Sequence, residues 1–170
     1  LEFRRVLFRS GLTLTNNYVY YVAVKAYSNA GEVSATANTN GITVDTTTPA
    51  ITIGDEGDYT GTTNQLVVTG AVTFEPPSGI SHYTYRISSG NTLDAGGTAI
   101  TGWVQTSTLN FTVGGLTLTN NYVYYVAVKA YSNTGEVSAT ANTNGITVDT
   151  TTPAITIGDE GDYTGTTNQL

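Results

Sequence analysis

The sequence predicts an all-β protein, a seven-stranded antiparallel β-sandwich present as a tandem repeat. Three observations predict it. Apolar residues alternate with a period of two, and no segment carries the 3.6-residue period of a helix. Thr fills 34 of 170 positions while charged residues fill only 11%, a composition suited to half-buried strands rather than to solvated helices. Residues 11–66 recur as residues 115–170, at an offset of 104, with one difference, Ala30 against Thr134. A period of that length is too long for a solenoid and fits one sandwich of about 100 residues.

Composition also limits function. The chain has no Cys, which excludes disulfides, thiolate metal sites and cysteine nucleophiles. Its single His, His82, argues against imidazole metal sites and triads. No apolar run reaches the ~18–20 residues of a membrane span. The net charge is −7. Residues 49–152 hold two basic residues, Arg86 and Lys129, against seven acids. That balance disfavours nucleic acid as a partner, because phosphate binding needs clustered Lys and Arg.

Four segments are expected. Residues 1–10 hold three of the six basic residues and no Thr or Gly. They resemble a translated sequencing adapter and are set aside as non-native. Residues 11–48 read as the C-terminal half of a truncated repeat. Residues 49–152 read as one complete repeat, and 153–170 as the start of a further one. The boundaries fall at Asp45-Thr46-Thr47-Thr48-Pro49 and its copy Asp149-Thr150-Thr151-Thr152-Pro153. These runs hold no apolar anchor, and Pro removes a ladder donor. On this reading both chain ends are arbitrary cuts through an array.

Within 49–152 the strands follow in order. Residues 50–53 form a short first strand. Residues 64–74 form the second, with Leu66, Val68 and Val72 on one face. Glu75-Pro76-Pro77-Ser78-Gly79 is a turn. Residues 80–88 set Tyr83, Tyr85 and Ile87 against His82, Thr84 and Arg86. A Gly/Asn/Asp loop over 90–98 leads to an edge segment opening at Trp103. Leu109, Phe111 and Val113 alternate in the next strand, and Gly114-Gly115 turns the chain. Residues 122–130 place Tyr124, Val126, Val128 and Ala130 inward. Asn133-Thr134-Gly135-Glu136 is a hairpin loop, and the last strand runs over 137–148.

The run from Leu118 to Gly135 resembles the fibronectin type III signature. A Leu stands six residues before the corner Tyr, then come alternating Val and an Asn-x-Gly turn. Ser78-Gly79-Ile80, Tyr83-x-Tyr85-x-Ile87, Trp103 and Val148-Asp149-Thr150-Thr151 with Pro153 resemble a bacterial Ig-like variant, found as tandem repeats in large surface or secreted proteins. One departure stands out: Gly70 or Val72 occupies the region where the family carries a core Trp. The resemblance implies a non-catalytic spacer repeat of a long extracellular or cell-surface protein. Neighbouring repeats are then its partners, with no membrane insertion in this segment. The alternatives are an adhesin or carbohydrate-binding repeat contacting surface glycans or proteins, and an accessory repeat of a secreted polysaccharide-degrading enzyme.

Candidate residues divide by chemistry. Tyr20 and Tyr124 match the tyrosine corner, whose hydroxyl bonds back to nearby backbone. Asp55, Glu56 and Asp58, with Asp149, form the densest acidic group, recurring as Asp159-Glu160-Gly161-Asp162. Closely spaced carboxylates suit a hard cation such as Ca²⁺; otherwise they form a solvated loop, and no cofactor is needed. Trp103, Tyr122 and Tyr125 are candidate sugar-facing aromatics, unless they are cross-strand pairs on a sheet face. His82 reads as a surface residue without a nucleophile to serve, and no catalytic residue is expected. Asn110-Phe111-Thr112 is a glycosylation sequon by spacing. At the junction between repeats, gathered carboxylates are expected to leave the linker flexible or bridged by a metal.

Overall fold

The computed structural model describes residues 11–90 and 97–158. Residues 1–10, the interior of the 90–98 loop and the second acidic group at 159–162 lie outside the described residues. All regular structure described is β. A leading hairpin contains β1 (Val19–Tyr20), β2 (Ala23–Val24), β3 (Ala37–Asn38) and β4 (Ile42–Thr43). In it β1 pairs with β4 and β2 with β3, both antiparallel. The rest comprises β5 (Ala50–Gly54), β6 (Tyr59–Thr60), β7 (Gln65–Phe74), β8 (Ile80–Ser89), β9 (Thr98–Ala99), β10 (Val104–Thr106), β11 (Phe111–Gly114), β12 (Val123–Ser132), β13 (Ala141–Asn142) and β14 (Ile146–Val148).

These strands form a two-sheet sandwich. One sheet has the order β11-β7-β5. The other runs β10-β8-β12-β14-β6, with β9 on β8 and β13 on β12. The alternating residues of facing strands meet between the sheets. Leu66 and Val68 of β7, Val113 of β11, Ile87 of β8, Tyr124, Val126, Val128 and Ala130 of β12, and Ile146 and Val148 of β14 are all buried there. Tyr85 of β8 meets Phe111 of β11 with ring centroids 4.8 Å apart, an aromatic contact from one sheet to the other. The longest ladder joins β12 to β8, in register from Tyr124–Ser89 to Tyr131–His82 before a one-residue shift.

Three features depart from the alternation pattern. Val72 does not share the buried face of Leu66 and Val68; it is 39% exposed. Beyond Gly70, β7 outruns β11, whose ladder ends at the Phe111–Val68 pair. The last strand, expected over 137–148, is broken into an isolated bridge at Val137, then β13 and β14. The cause is a side-chain substitution in the ladder. Ala130 N donates to Ser138 Oγ at 2.9 Å and Val126 N to Thr143 Oγ1 at 3.1 Å, where a regular ladder would offer carbonyls. A hydroxyl standing in for a carbonyl holds the backbone off by a side chain's length. Finally, β6 pairs with β14 in parallel, Thr147 to Tyr59 and Val148 to Thr60. The chain leaves β5 in one sheet and joins the edge of the other, which covers an otherwise open strand edge.

Gly70 stands in the region expected to hold a core Trp. A Cβ there would lie 2.7 Å from Thr52 O and 2.9 Å from Leu109 Cγ. Leu109, just ahead of β11, is buried against the spot and fills it. Asn110 extends the contact: its Oδ1 accepts from Gly70 N at 2.9 Å and its Nδ2 donates to Gly70 O at 3.3 Å. The sequon amide thus prolongs the β11–β7 ladder by one side chain.

Candidate functional site

The two corner tyrosines are placed alike. Tyr124 Oη accepts a hydrogen bond from Thr119 N at 2.8 Å, and Tyr20 Oη accepts from Thr15 N at 2.9 Å. Each hydroxyl reaches five residues back along the chain, the geometry of a tyrosine corner. Asn121 and Asn17 sit at φ 63° and 64° in the turn between these partners. Asn tolerates this left-handed region better than most residues.

The acidic loop is occupied by backbone. Glu56 Oε2 accepts from Val67 N at 2.9 Å, and Asp55 Oδ1 accepts from Gly57 N at 3.3 Å. Asp58 O accepts from Thr147 N at 2.9 Å, and Asp149 N donates to Thr60 O at 2.9 Å, which ties the loop's end to β14. Asp149 Oδ1 turns back to Thr151 N at 2.9 Å. Among the described residues no three His, Cys, Asp or Glu side chains converge as a metal site. Asp55 Oδ2 is enclosed with no hydrogen-bond partner among them. One such oxygen falls far short of the six to eight that Ca²⁺ takes.

The aromatics separate. Trp103 is 40% exposed, but Lys129 Nζ sits 4.5 Å from its ring centroid, a cation–π contact that occupies that face. Tyr125 lies across Gly145, where a Cβ would come within 2.5 Å of its ring. Tyr122 is exposed. Tyr122 and Tyr125 both line an open groove of about 440 Å³ with Asn121, Ser89 and Thr98, while Trp103 is not part of it. The three aromatics therefore do not make one stacking platform. His82 stacks on Tyr131 of the neighbouring strand at 4.5 Å, with an interplanar angle of 6°. It is half-buried rather than a loose surface side chain.

Asp45, in the linker ahead of β5, has the most developed polar environment. Its Oδ1 accepts from Thr47 N at 3.0 Å and from the Thr47 hydroxyl, and its Oδ2 accepts from Ser78 N at 2.8 Å. The Thr47 hydroxyl, then Ser78, hold its carboxyl well below the usual carboxylate range. The residue is only 6% exposed. Thr46 N, one residue on, donates to Asn16 Oδ1 of the leading hairpin at 2.9 Å. At the junction expected to be flexible or metal-bridged, direct hydrogen bonds reach from the linker to both sides. Asp-x-Thr is a turn signature in which the Asp side chain bonds backbone two residues on. That half was readable from sequence, whereas the Ser78 partner, 33 residues away, was not.

None of the protein-family models matches the chain, and the curated proteins give no match. Among solved structures, one described as fibronectin(III)-like modules of Clostridium thermocellum CbhA is similar at a TM-score of 0.41 and 13% identity. The match covers 81% of this chain and 66% of that one, so the chain spans less than two thirds of its length. The strand order and core described above define the class: an all-β, two-sheet sandwich.

Proposed function

We propose that residues 49–152 form one complete, non-catalytic repeat of a long extracellular or cell-surface protein, a spacer that holds a functional domain away from the surface. One observation carries this reading: the side chains suited to chemistry are committed to holding the sandwich. Tyr124 holds Thr119 N, Glu56 holds Val67 N, His82 stacks on Tyr131, and Trp103 lies under Lys129. The recurrence of 11–66 as 115–170 supports an array of such units, with neighbouring repeats as partners. Strands of ten residues such as β8 and β12 give about 25–35 Å per repeat at roughly 3.3 Å per residue.

A second reading, a carbohydrate-binding repeat, is favoured by the groove that Tyr122 and Tyr125 share. A glycan array and a calcium titration on the full chain separate the two. The spacer reading expects no oligosaccharide bound more tightly than about 1 mM, or about −4 kcal/mol. It also expects identical melting with Ca²⁺ and with chelator. Saturable sugar binding lost in Tyr122→Ala would overturn it in favour of the second. A Ca²⁺-dependent rise in melting temperature would replace the plain spacer with a cation-stiffened one.

A further inference from the structure

We propose that the Asp-Thr-Thr-Thr-Pro linker is a clasp: its Asp carboxylate docks on the Ser78 turn of the following unit and fixes the angle between successive units. The partner is another copy of this chain's own fold, and the receiving surface is the turn 76–79. The inference rests on the repeat-array reading above.

The receiver is built before the linker arrives. Pro76 and Pro77 fix two backbone angles of the turn, and Gly79 takes φ 79° with its N donating to Pro76 O at 2.8 Å. Asn133, from the loop between β12 and Val137, clamps it from behind. Asn133 Nδ2 donates to Ser78 O at 2.7 Å, and Asn133 N donates to Gly79 O at 3.1 Å. That leaves Ser78 N–H as the turn's remaining backbone donor, and Asp45 Oδ2 accepts from it. Pro49 and Pro76 are both buried where linker and turn meet.

The linker is tied on its other side as well, through Thr46 N to Asn16. Asn16 belongs to the preceding unit and Ser78 to the following one, so consecutive linker residues grip opposite sides of the junction.

The molecule contains its own control. Asp149 has the same sequence neighbours and keeps the backbone bonds of the turn: its Oδ1 accepts from Thr151 N at 2.9 Å, and Thr150 N donates to Asn120 Oδ1 at 2.8 Å. Yet Asp149 is exposed while Asp45 is buried. The difference is the receiver: among the described residues Asp149 has no counterpart of the Ser78 N–H from which Asp45 Oδ2 accepts. The linker's own turn is therefore local, and the burial and second bond of Asp45 come from the unit it docks on. Bonds from a backbone N–H to a carboxylate are among the stronger ones available to an exposed junction.

The full chain provides the test. It has no Cys, so Thr43→Cys with Thr112→Cys places two spin labels on exposed strand positions either side of the junction. The clasp predicts a single narrow distance distribution in the parent. It predicts a broad one in Asp45→Ala, and no change in Asp149→Ala. Hydrogen exchange gives a second readout: the Ser78 amide should exchange at least about tenfold faster in Asp45→Ala, the effect of losing one bond to a charged acceptor. A broad parent distribution, an unchanged one in Asp45→Ala, or equal broadening in Asp149→Ala would overturn the clasp. None of these outcomes bears on glycan binding, so the spacer reading stands or falls separately.

Discussion

Residues 11–48 and 115–152 differ at one position and share their hydrogen bonds almost one for one, but not their burial. Val22 N and Val126 N each donate to a Thr Oγ1, at 3.0 and 3.1 Å. Ala26 N and Ala130 N each donate to a Ser Oγ at 2.9 Å. Val22 and Val24, however, are 60% and 54% exposed, against 2% and 0% for Val126 and Val128. The later copy has β8 along its whole edge and the other sheet above its face; the earlier has neither among the described residues. The local chain thus sets corner, turn and hydroxyl-for-carbonyl ladder by itself. The stability has to come from apolar burial that only the full sandwich supplies.

The comparison breaks most sharply at the paired valines. Val126→Ala should destabilise the chain by about 2 kcal/mol or more, from two buried methyl equivalents at roughly 0.8 kcal/mol each plus a cavity cost. Val22→Ala, on the open copy, should stay within about 0.5 kcal/mol. Urea melts of the full chain check both, and equal effects would show that the early hairpin is packed in solution. At the corners, Tyr124→Phe should cost about 1–3 kcal/mol by leaving Thr119 N without its acceptor, and a loss below about 0.3 kcal/mol would deny it that role. Tyr20→Phe should leave the main transition unmoved. Gly145→Ala should cost about 1–2 kcal/mol, because φ 97° is strained for any other residue and Tyr125 closes the space. Gly41→Ala, at φ 93° under Tyr21, should leave the main transition where it was.

The smallest effect sharpens the contrast between the linkers. Both Asp45 and Asp149 have carboxyls held below the ordinary value of 3.8, Asp45 by the Thr47 hydroxyl and Ser78, Asp149 by Thr151. A depressed folded-state value means the contribution is present above the ordinary one and lost as pH falls through the folded one. Ser78 amide protection should therefore hold from neutral pH to about 3.8 and fade only below it. Fading well above that would mean that the carboxylate is not the acceptor.

Much of the sandwich was legible because period-two alternation reports which face of a strand is buried, and Tyr124, Val126, Val128 and Ala130 follow it, although Ala127 on the other face is buried as well. Val72 misled because alternation does not say where a neighbouring strand ends. The break between β13 and β14 was hidden because Ser138 and Thr143 read as ordinary strand residues until their hydroxyls displace carbonyls. The parallel pairing of Tyr59–Thr60 with β14 left no signal in so short a segment. Among the candidate residues, the corner tyrosines were marked by fixed local spacing. Trp103, Tyr122 and Tyr125 were grouped by residue type, and only the fold shows that Lys129 and Gly145 already occupy two of them. Asp45 was overlooked because its decisive partner is distant in sequence.

Native-state hydrogen exchange on the full chain tests the central claim most directly, because the amides of Val22 and Thr39 make the same bonds as those of Val126 and Thr143. If packing rather than local bonding confers stability, Val126 and Thr143 should exchange only through global unfolding, and Val22 and Thr39 faster by at least about a hundredfold. Equal protection of the two pairs would contradict the account and show that the hairpin is stable without a covering sheet.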